Sequence, residues 1–307
     1  KERKGFLYEL ASLLLQHEKM QILLNGTIQG LLIALMAMGF SIVYNSTGIL
    51  HIAQGAVYAI SPFLLLSFMQ SGLSIPVAIS LALSISIIIS ALFELINHWP
   101  LHRKEASLQI HLISSLGIYI AVIQVIAIIW GNETKVLRDG IDVTYTISDI
   151  IVTRSQALGG IIALLLIMAF FLWLKKADSG LKFMALLDNP VQLSLMGYDI
   201  SKLRLLAFGL SGLLTAIAAV LTAMDVGFDS HGGLSAVLLA IVATIIGGKG
   251  SFIGPVIGGV LLGIMRSQVV WYTSARWQDT ITFLILILFL FLRPQGIMGK
   301  KGRIETL

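Results

Sequence analysis

The sequence predicts an all-α fold, a polytopic transmembrane helical bundle of about eight spans with broken or re-entrant helices in both halves. Three observations predict it. The 307 residues are 57% hydrophobic and 12% charged, about half the charge of a soluble domain, too little to coat a water-facing surface. The apolar residues gather in runs of about 20, the length of a spanning helix. Two of these runs are interrupted by glycine. The apolar runs fill nearly the whole chain, so residues 1–307 read as one membrane domain.

Residues 1–20 place Phe6, Leu7, Leu10, Leu13 and Leu14 at helical spacing with polar residues between them. That is the pattern of an amphipathic segment lying at the interface. No small-residue cleavage site marks a signal peptide here. Its basic residues favour the cytoplasm, whereas counting crossings backwards favours the outside; both readings stand. Continuous spans follow at Ile22–Tyr44, Ile75–Asn97, Ile110–Trp130, Ser155–Leu174, Leu205–Met224 and Asp279–Leu292, and interrupted ones at Ile49–Gln70 and Leu234–Met265.

Loop charges orient the bundle. Lys175, Lys176, Lys182, Lys202 and Arg204 in loop 175–204, and Arg293, Lys300, Lys301 and Arg303 in tail 293–307, belong in the cytoplasm by the positive-inside rule. Arg103 and Lys104 place their loop on the same side. Residues 131–154 mix four acidic with three basic side chains and fit the outer side. These assignments agree only if Leu234–Met265 turns back on itself, which predicts a true turn near Gly247–Gly250. Trp271, Tyr272 and Trp277 read as an interfacial aromatic belt.

Several function classes drop out. With no cysteine, disulfides, thiolate metal sites and a Cys nucleophile are excluded. The Gly-rich Gly247–Pro255 stretch is not a phosphate loop, because Gly250 follows Lys249 where Ser or Thr is required. The net charge of +5 reflects basic loops rather than nucleic-acid binding. His98 and His102 flank Pro100, and His111 lies further on, which argues against a metal site. Glu94 reads as an interfacial anchor beside Arg103 and Lys104, leaving the span centres nearly free of charge and proton-driven transport disfavoured.

Three features point to function. Gly48–Gly55 (G-I-L-H-I-A-Q-G) and Gly247–Pro255 (G-G-K-G-S-F-I-G-P) interrupt their spans in roughly corresponding places. Broken helices survive only against protein or a wet cavity, and repeated breaks point to a substrate pathway. The polar residues beside them are His51 and Gln54, and Lys249 and Ser251. The competing reading is close packing, since Gly250, Gly254 and Gly258 are four apart. The third feature is a short capped helix in loop 175–204. Asn189 suits the N-cap, Pro190 the first turn and Gly197 the left-handed stop, with Asp199 capping the next helix. It is either a docking element for a cytosolic partner or a plain connector.

The motifs together resemble a known family. Leu23–Gly30 (L-L-N-G-T-I-Q-G), His51–Gly55, Glu94 with Pro100–Arg103, Ser114–Ile118 with Trp130–Gly131, Ala185–Pro190 with Gly197, Gly247–Gly259 and Arg293–Gly299 are similar, in that order, to segments of the branched-chain amino acid ABC transporter permeases, specifically the LivH-like subunit. The resemblance implies the helical bundle of that class and transport of branched-chain or other hydrophobic amino acids. Asn25, Gln29, His51, Gln54, Lys249 and Ser251 would line the pathway. Ala185, Asp188, Asn189, Pro190 and Gly197 would couple to an ATPase. It implies two ABC ATPase subunits, a second LivM-like permease and an extracytoplasmic substrate-binding protein as partners. ATP and Mg²⁺ would sit on the ATPases, with no cofactor, metal or catalytic residue in this chain. The sequence departs from the family pattern at His51 (Asn), Gln54 (His), Met184 (a basic residue) and Pro255 (Ala). A urea or short-amide permease of the same family is the nearest alternative; a self-contained carrier or channel is the next.

Overall fold

The computed structural model describes residues 2–299 apart from 139, 141, 148, 149, 189, 249 and 294, with backbone alone for residues 2–17, 147, 187, 188, 190 and 191. Helix α1 (Glu2–Thr47) runs unbroken from the N-terminal segment through the first span. An irregular stretch, 48–53, leads into α2 (Gln54–Gln70). Then come α3 (Ile75–Phe93), a π-helical turn (Glu94–His98), α4 (Trp99–Arg103) and α5 (Leu108–Trp130). A small hairpin of β1 (Thr144–Ile147) and β2 (Ile150–Thr153) pairs antiparallel, Thr144 opposite Thr153. It leads to α6 (Arg154–Lys176), α7 (Asp178–Asp188), α8 (Pro190–Leu195), α9 (Ile200–Val226), α10 (Gly232–Gly247), α11 (Ile253–Tyr272) and α12 (Gln278–Leu292).

Among the described residues, seven helical runs are long and apolar enough to cross a membrane. Helix α10, at 16 residues, and α2, at 17, are shorter. At 1.5 Å per residue they span about 24–26 Å, less than the roughly 30 Å of a hydrocarbon core. The approaches to both, residues 48–53 and 227–231, are irregular backbone.

Helix α1 is the central post. Ala34, Leu35, Ala37, Met38 and Val43 are buried, and α9, α10 and α11 pack around them. The closest approach is to α11, where Gly26 and Gly30 meet Ile264, Val260 and Gly263. A Cβ on Gly263 would strike the Gly30 backbone. Without a hydrophobic force between helices in lipid, such small-residue contacts supply the packing. The glycines at Gly254 and Gly258 act likewise, against Gly247 and Ala243 of α10.

The turn expected near Gly247–Gly250 is present. Gly248 and Gly250 take left-handed φ of +104° and +82°, and α10 and α11 return as an antiparallel pair. The segment after α12 then covers this turn. The Ile297 and Met298 N–H groups donate to the Ile246 and Gly247 carbonyls at 2.8 Å each, satisfying carbonyls that a helix end leaves free. Asn45 Oδ1 accepts from Gly250 N at 3.1 Å, tying the end of α1 to the same turn.

Two expectations are corrected. Arg204 is not a loop residue: Asp199 accepts from Ser201 N and Lys202 N, so α9 starts at Ile200 and carries Arg204 into the bundle. Glu94 is not an interfacial anchor: it is 2% exposed and ion-paired with Arg204, because it continues at four-residue spacing the buried stripe Ala78, Ala82, Ser86 and Ser90 of α3.

Candidate functional site

The chain breaks helix twice within the bundle, and the two breaks meet. Gly55 and Gly233 are each the second residue of their helices, α2 and α10, and the two backbones touch so closely that neither has room for a Cβ. Beside them Gln54 Nε2 donates to Thr215 Oγ1 at 2.6 Å and approaches the Met36 carbonyl at 3.5 Å. Met36 and Thr215 lie well inside α1 and α9, so these helix starts sit deep between them.

The partner of the 48–53 break is therefore 227–231, not the Gly247–Pro255 stretch. The latter is a tight turn at the bundle's end, with Ser251 Oγ accepting from Gly254 N at 3.1 Å. Lys249 lies outside the described residues. The missed signal was G-F-D-S-H-G-G from Gly227 to Gly233. Gly227 ends α9 with φ +81°, and Asp229 Oδ1 accepts from His231 N and Gly232 N at 2.7 and 2.8 Å.

A buried polar seam leads from this junction. His51 Nδ1 lies 3.0 Å from His98 Nε2, and His98 Nδ1 lies 3.1 Å from His111 Nδ1. All three rings are 2% exposed or less. A neutral imidazole offers one donor and one acceptor. Both contacts are thus hydrogen bonds only if the two run in the same direction, with His51 and His98 donating towards His111 or His111 and His98 donating towards His51. Phe93 and Phe208 flank His51, with ring centroids 6.0 and 5.0 Å away. Next to the rings, Arg204 Nε donates to Glu94 Oε1 at 2.7 Å. Ser115 Oγ holds the segment itself, accepting from Ile52 N at 3.2 Å. Asn97 accepts from the Ser114 hydroxyl.

Among the described residues, six buried side-chain atoms have no hydrogen-bond partner: His51 Nε2, Gln54 Oε1, Glu94 Oε2, Asn97 Nδ2, Arg204 Nη2 and Ser211 Oγ. All six belong to the break, the start of α2, the π turn or α9, whose Arg204, Ser211 and Thr215 fall at helical spacing. Each such atom costs about 1–3 kcal/mol, so stability alone does not favour this arrangement. The described residues contain no group of three or more His, Cys, Asp or Glu side chains placed to hold a metal; the histidine contacts use opposite nitrogens of His98 and do not converge.

Asn25 and Gln29 are elsewhere. With Glu18 and Gln21 they share one face of α1 and line an open cavity of about 730 Å³ at the end of the bundle that carries the β-hairpin. Gln156 comes from α6, Ser267, Val270 and Trp271 from α11, and Gln278 from α12. Gln21 clasps the hairpin edge, donating to the Ile151 carbonyl at 2.7 Å and accepting from Ile151 N at 2.8 Å. Among the described residues, five carboxamides and one carboxylate face this space, and no basic side chain lines it. The expected pathway residues thus fall into three places: the cavity (Asn25, Gln29), the seam (His51, Gln54) and the turn (Ser251).

The expected coupling residues lie on α7, on α8 and just after it. Ala185 is exposed. Gly197 takes φ +85°, closing α8 with its N–H on the Ser194 carbonyl at 2.9 Å. Asp188 and Pro190 are helical in backbone, and Asn189 lies outside the described residues. Leu195 and Met196 are 84% and 68% exposed.

A family model described as "Branched-chain amino acid transport system / permease component" matches residues 22–290. The high-affinity branched-chain amino acid transport system permease protein BraD of Pseudomonas aeruginosa is 28% identical over 92% of this chain and 96% of its own length. The corresponding LivH of Salmonella typhimurium is 26% identical over the same shares. Among solved structures, PsaBC from Streptococcus pneumoniae in complex with Fab aligns over 88% of this chain and 91% of that one, with TM-score 0.49 and 15% identity, too distant a likeness to build on. The multi-pass bundle, its breaks and the span of the match agree: this chain belongs to the branched-chain amino acid transport system permease family, a transport component and not an enzyme.

Proposed function

We propose that the chain is the membrane permease subunit of an ATP-driven importer that carries branched-chain or other hydrophobic amino acids across the cytoplasmic membrane. One observation carries the reading: the family match runs through both internal breaks, the amide-lined cavity and the α7–α8 loop. Two ABC ATPases, binding ATP and Mg²⁺, would dock on that loop. A second, LivM-like permease would complete the pathway, and an extracytoplasmic binding protein would deliver substrate. The basic loops support a cytoplasmic C-terminus, which places the cavity on the outer side.

Chemistry supports the parts. Exposed Leu195 and Met196 beside Ala185 and Gly197 give the loop an apolar tip, suited to a groove in a partner. The cavity is within the size range of small-molecule sites. Ile22, Val270 and Trp271 supply an apolar wall for an aliphatic side chain. The carboxamides, each donor and acceptor, suit an ammonium and a carboxylate alike.

The same carboxamides favour a second reading. A neutral amide such as urea or acetamide hydrogen-bonds to carboxamides on both its donor and acceptor sides and needs no charge partner there. Competition decides between them. In proteoliposomes of the whole assembly, unlabelled isoleucine or valine is expected to suppress radiolabelled leucine uptake, and urea and acetamide to leave it unchanged. Gln29→Leu is expected to weaken leucine uptake. Suppression by urea or acetamide instead would transfer the assignment to the amide class.

A further inference from the structure

We infer that Arg204, Glu94 and His98 are positioning residues that carry motion of the α8–α9 corner to the break at 48–53. The inference rests on the reading of α7–α8 as the ATPase-docking loop. Each link is a contact in the fold. The Tyr198 N–H donates to the Leu193 carbonyl, fastening the corner to α8, and Asp199 caps α9. Arg204 lies five residues after that cap and reaches across to Glu94 at 2.7 Å.

Glu94 opens the π turn that ends at His98. A π turn holds one residue more than an α turn, so sliding by one residue converts it and rotates every side chain beyond it. In this inference it acts as the two-state element within the span. His98 is the hub on its far side, bonded to His51 of the break and to His111 of α5. His51 stands three residues before Gln54, the first residue of α2. Drawing Arg204 outward would pull Glu94, shift the π turn and swing His98. The break would follow, and with it the contact between Gly55 and Gly233.

The composition of the seam supports this role over a purely structural one. A buried ion pair gives little net stability over apolar residues of similar size. Here it brings unpartnered atoms on both members, Glu94 Oε2 and Arg204 Nη2. What an ion pair provides and an apolar pair does not is a fixed, directional link between two helices.

That difference is the test. In Glu94→Leu/Arg204→Met both charges are removed together, so neither is stranded and packing volume is kept. The permease is purified with its partner subunits and reconstituted, and ATP hydrolysis and radiolabelled leucine uptake are measured on one preparation. The double variant is expected to assemble and to melt no lower than wild type. Its ATP hydrolysis persists, while leucine transported per ATP falls at least about tenfold, within the range of free-energy coupling between linked sites. His98→Phe, which keeps a ring but no hydrogen bond, is expected to uncouple in the same way and serves where the double variant does not assemble. Wild-type leucine-to-ATP ratios in either variant overturn the inference. Absence of ATP-dependent uptake in the wild-type assembly overturns the permease reading and this inference with it.

Discussion

Asp199 illustrates how one side chain sets a helix boundary. Its carboxyl is held below the usual carboxylate range, first by the Lys202 N–H, with the Lys202 ammonium and the Ser201 N–H adding to it. Asp142 is lowered in the same sense, chiefly by the Ser155 hydroxyl. A carboxyl lowered in the folded state stabilises fully above its unfolded pKa of about 3.9 and loses that contribution as pH falls through its folded value. Detergent melting curves should therefore show no change from these two carboxylates between neutral pH and about pH 5, then a decline. Asp199→Asn keeps a capping oxygen and removes the charge, so it is expected to flatten that acid limb; an unchanged limb would show that the cap does not titrate. The cap was legible from D-I-S-K in the sequence. Its consequence, Arg204 inside the bundle against Glu94, was not. Neighbouring basic residues made both charges look interfacial, although Glu94 continues the four-residue spacing of the small residues Ala78, Ala82, Ser86 and Ser90 that α3 buries.

At the scale of elements, the tightest joint is α1 on α11. Gly30 and Gly263 lie backbone to backbone, so Gly263→Leu forces the helices apart. A loss of about 1–3 kcal/mol, as for overpacking in general, is expected as a lower melting temperature in detergent. A variant melting at the wild-type temperature would contradict the packing. The sequence offered two readings of the glycines, pathway and packing. The close contacts bear out packing, and the pathway reading belongs to the proposed function. Gly254, Gly258 and Gly263 pack. Gly55 and Gly233 bring two helix starts together inside the bundle. The break at 48–53 was visible because it interrupts a long apolar run. Its counterpart at 227–231 was hidden because it falls between two runs and looks like an ordinary loop. Similarly, His51, His98 and His111 are far apart in sequence, and only the packing of three elements makes them a chain.

For the whole molecule, composition and run lengths were enough for a helical membrane bundle, and loop charges were enough to require the turn after Gly247. Spacing did not reveal that the amide face of α1, from Gln21 to Gln29, opens into a cavity, because the opposite wall comes from α6, α11 and α12. The resulting layout has three parts: a cavity at one end, a polar seam within the bundle and the α7–α8 loop with exposed Leu195 and Met196. The chain belongs to a family of transport components, so the permease reading takes its energy from another subunit. The most direct measurement is radiolabelled leucine flux into proteoliposomes holding this chain alone, compared with the chain reconstituted with its copurifying partners and ATP. The expected result is no flux above empty liposomes for the chain alone and ATP-dependent uptake for the assembly. Substantial leucine flux through the chain alone, without ATP or partners, would contradict it.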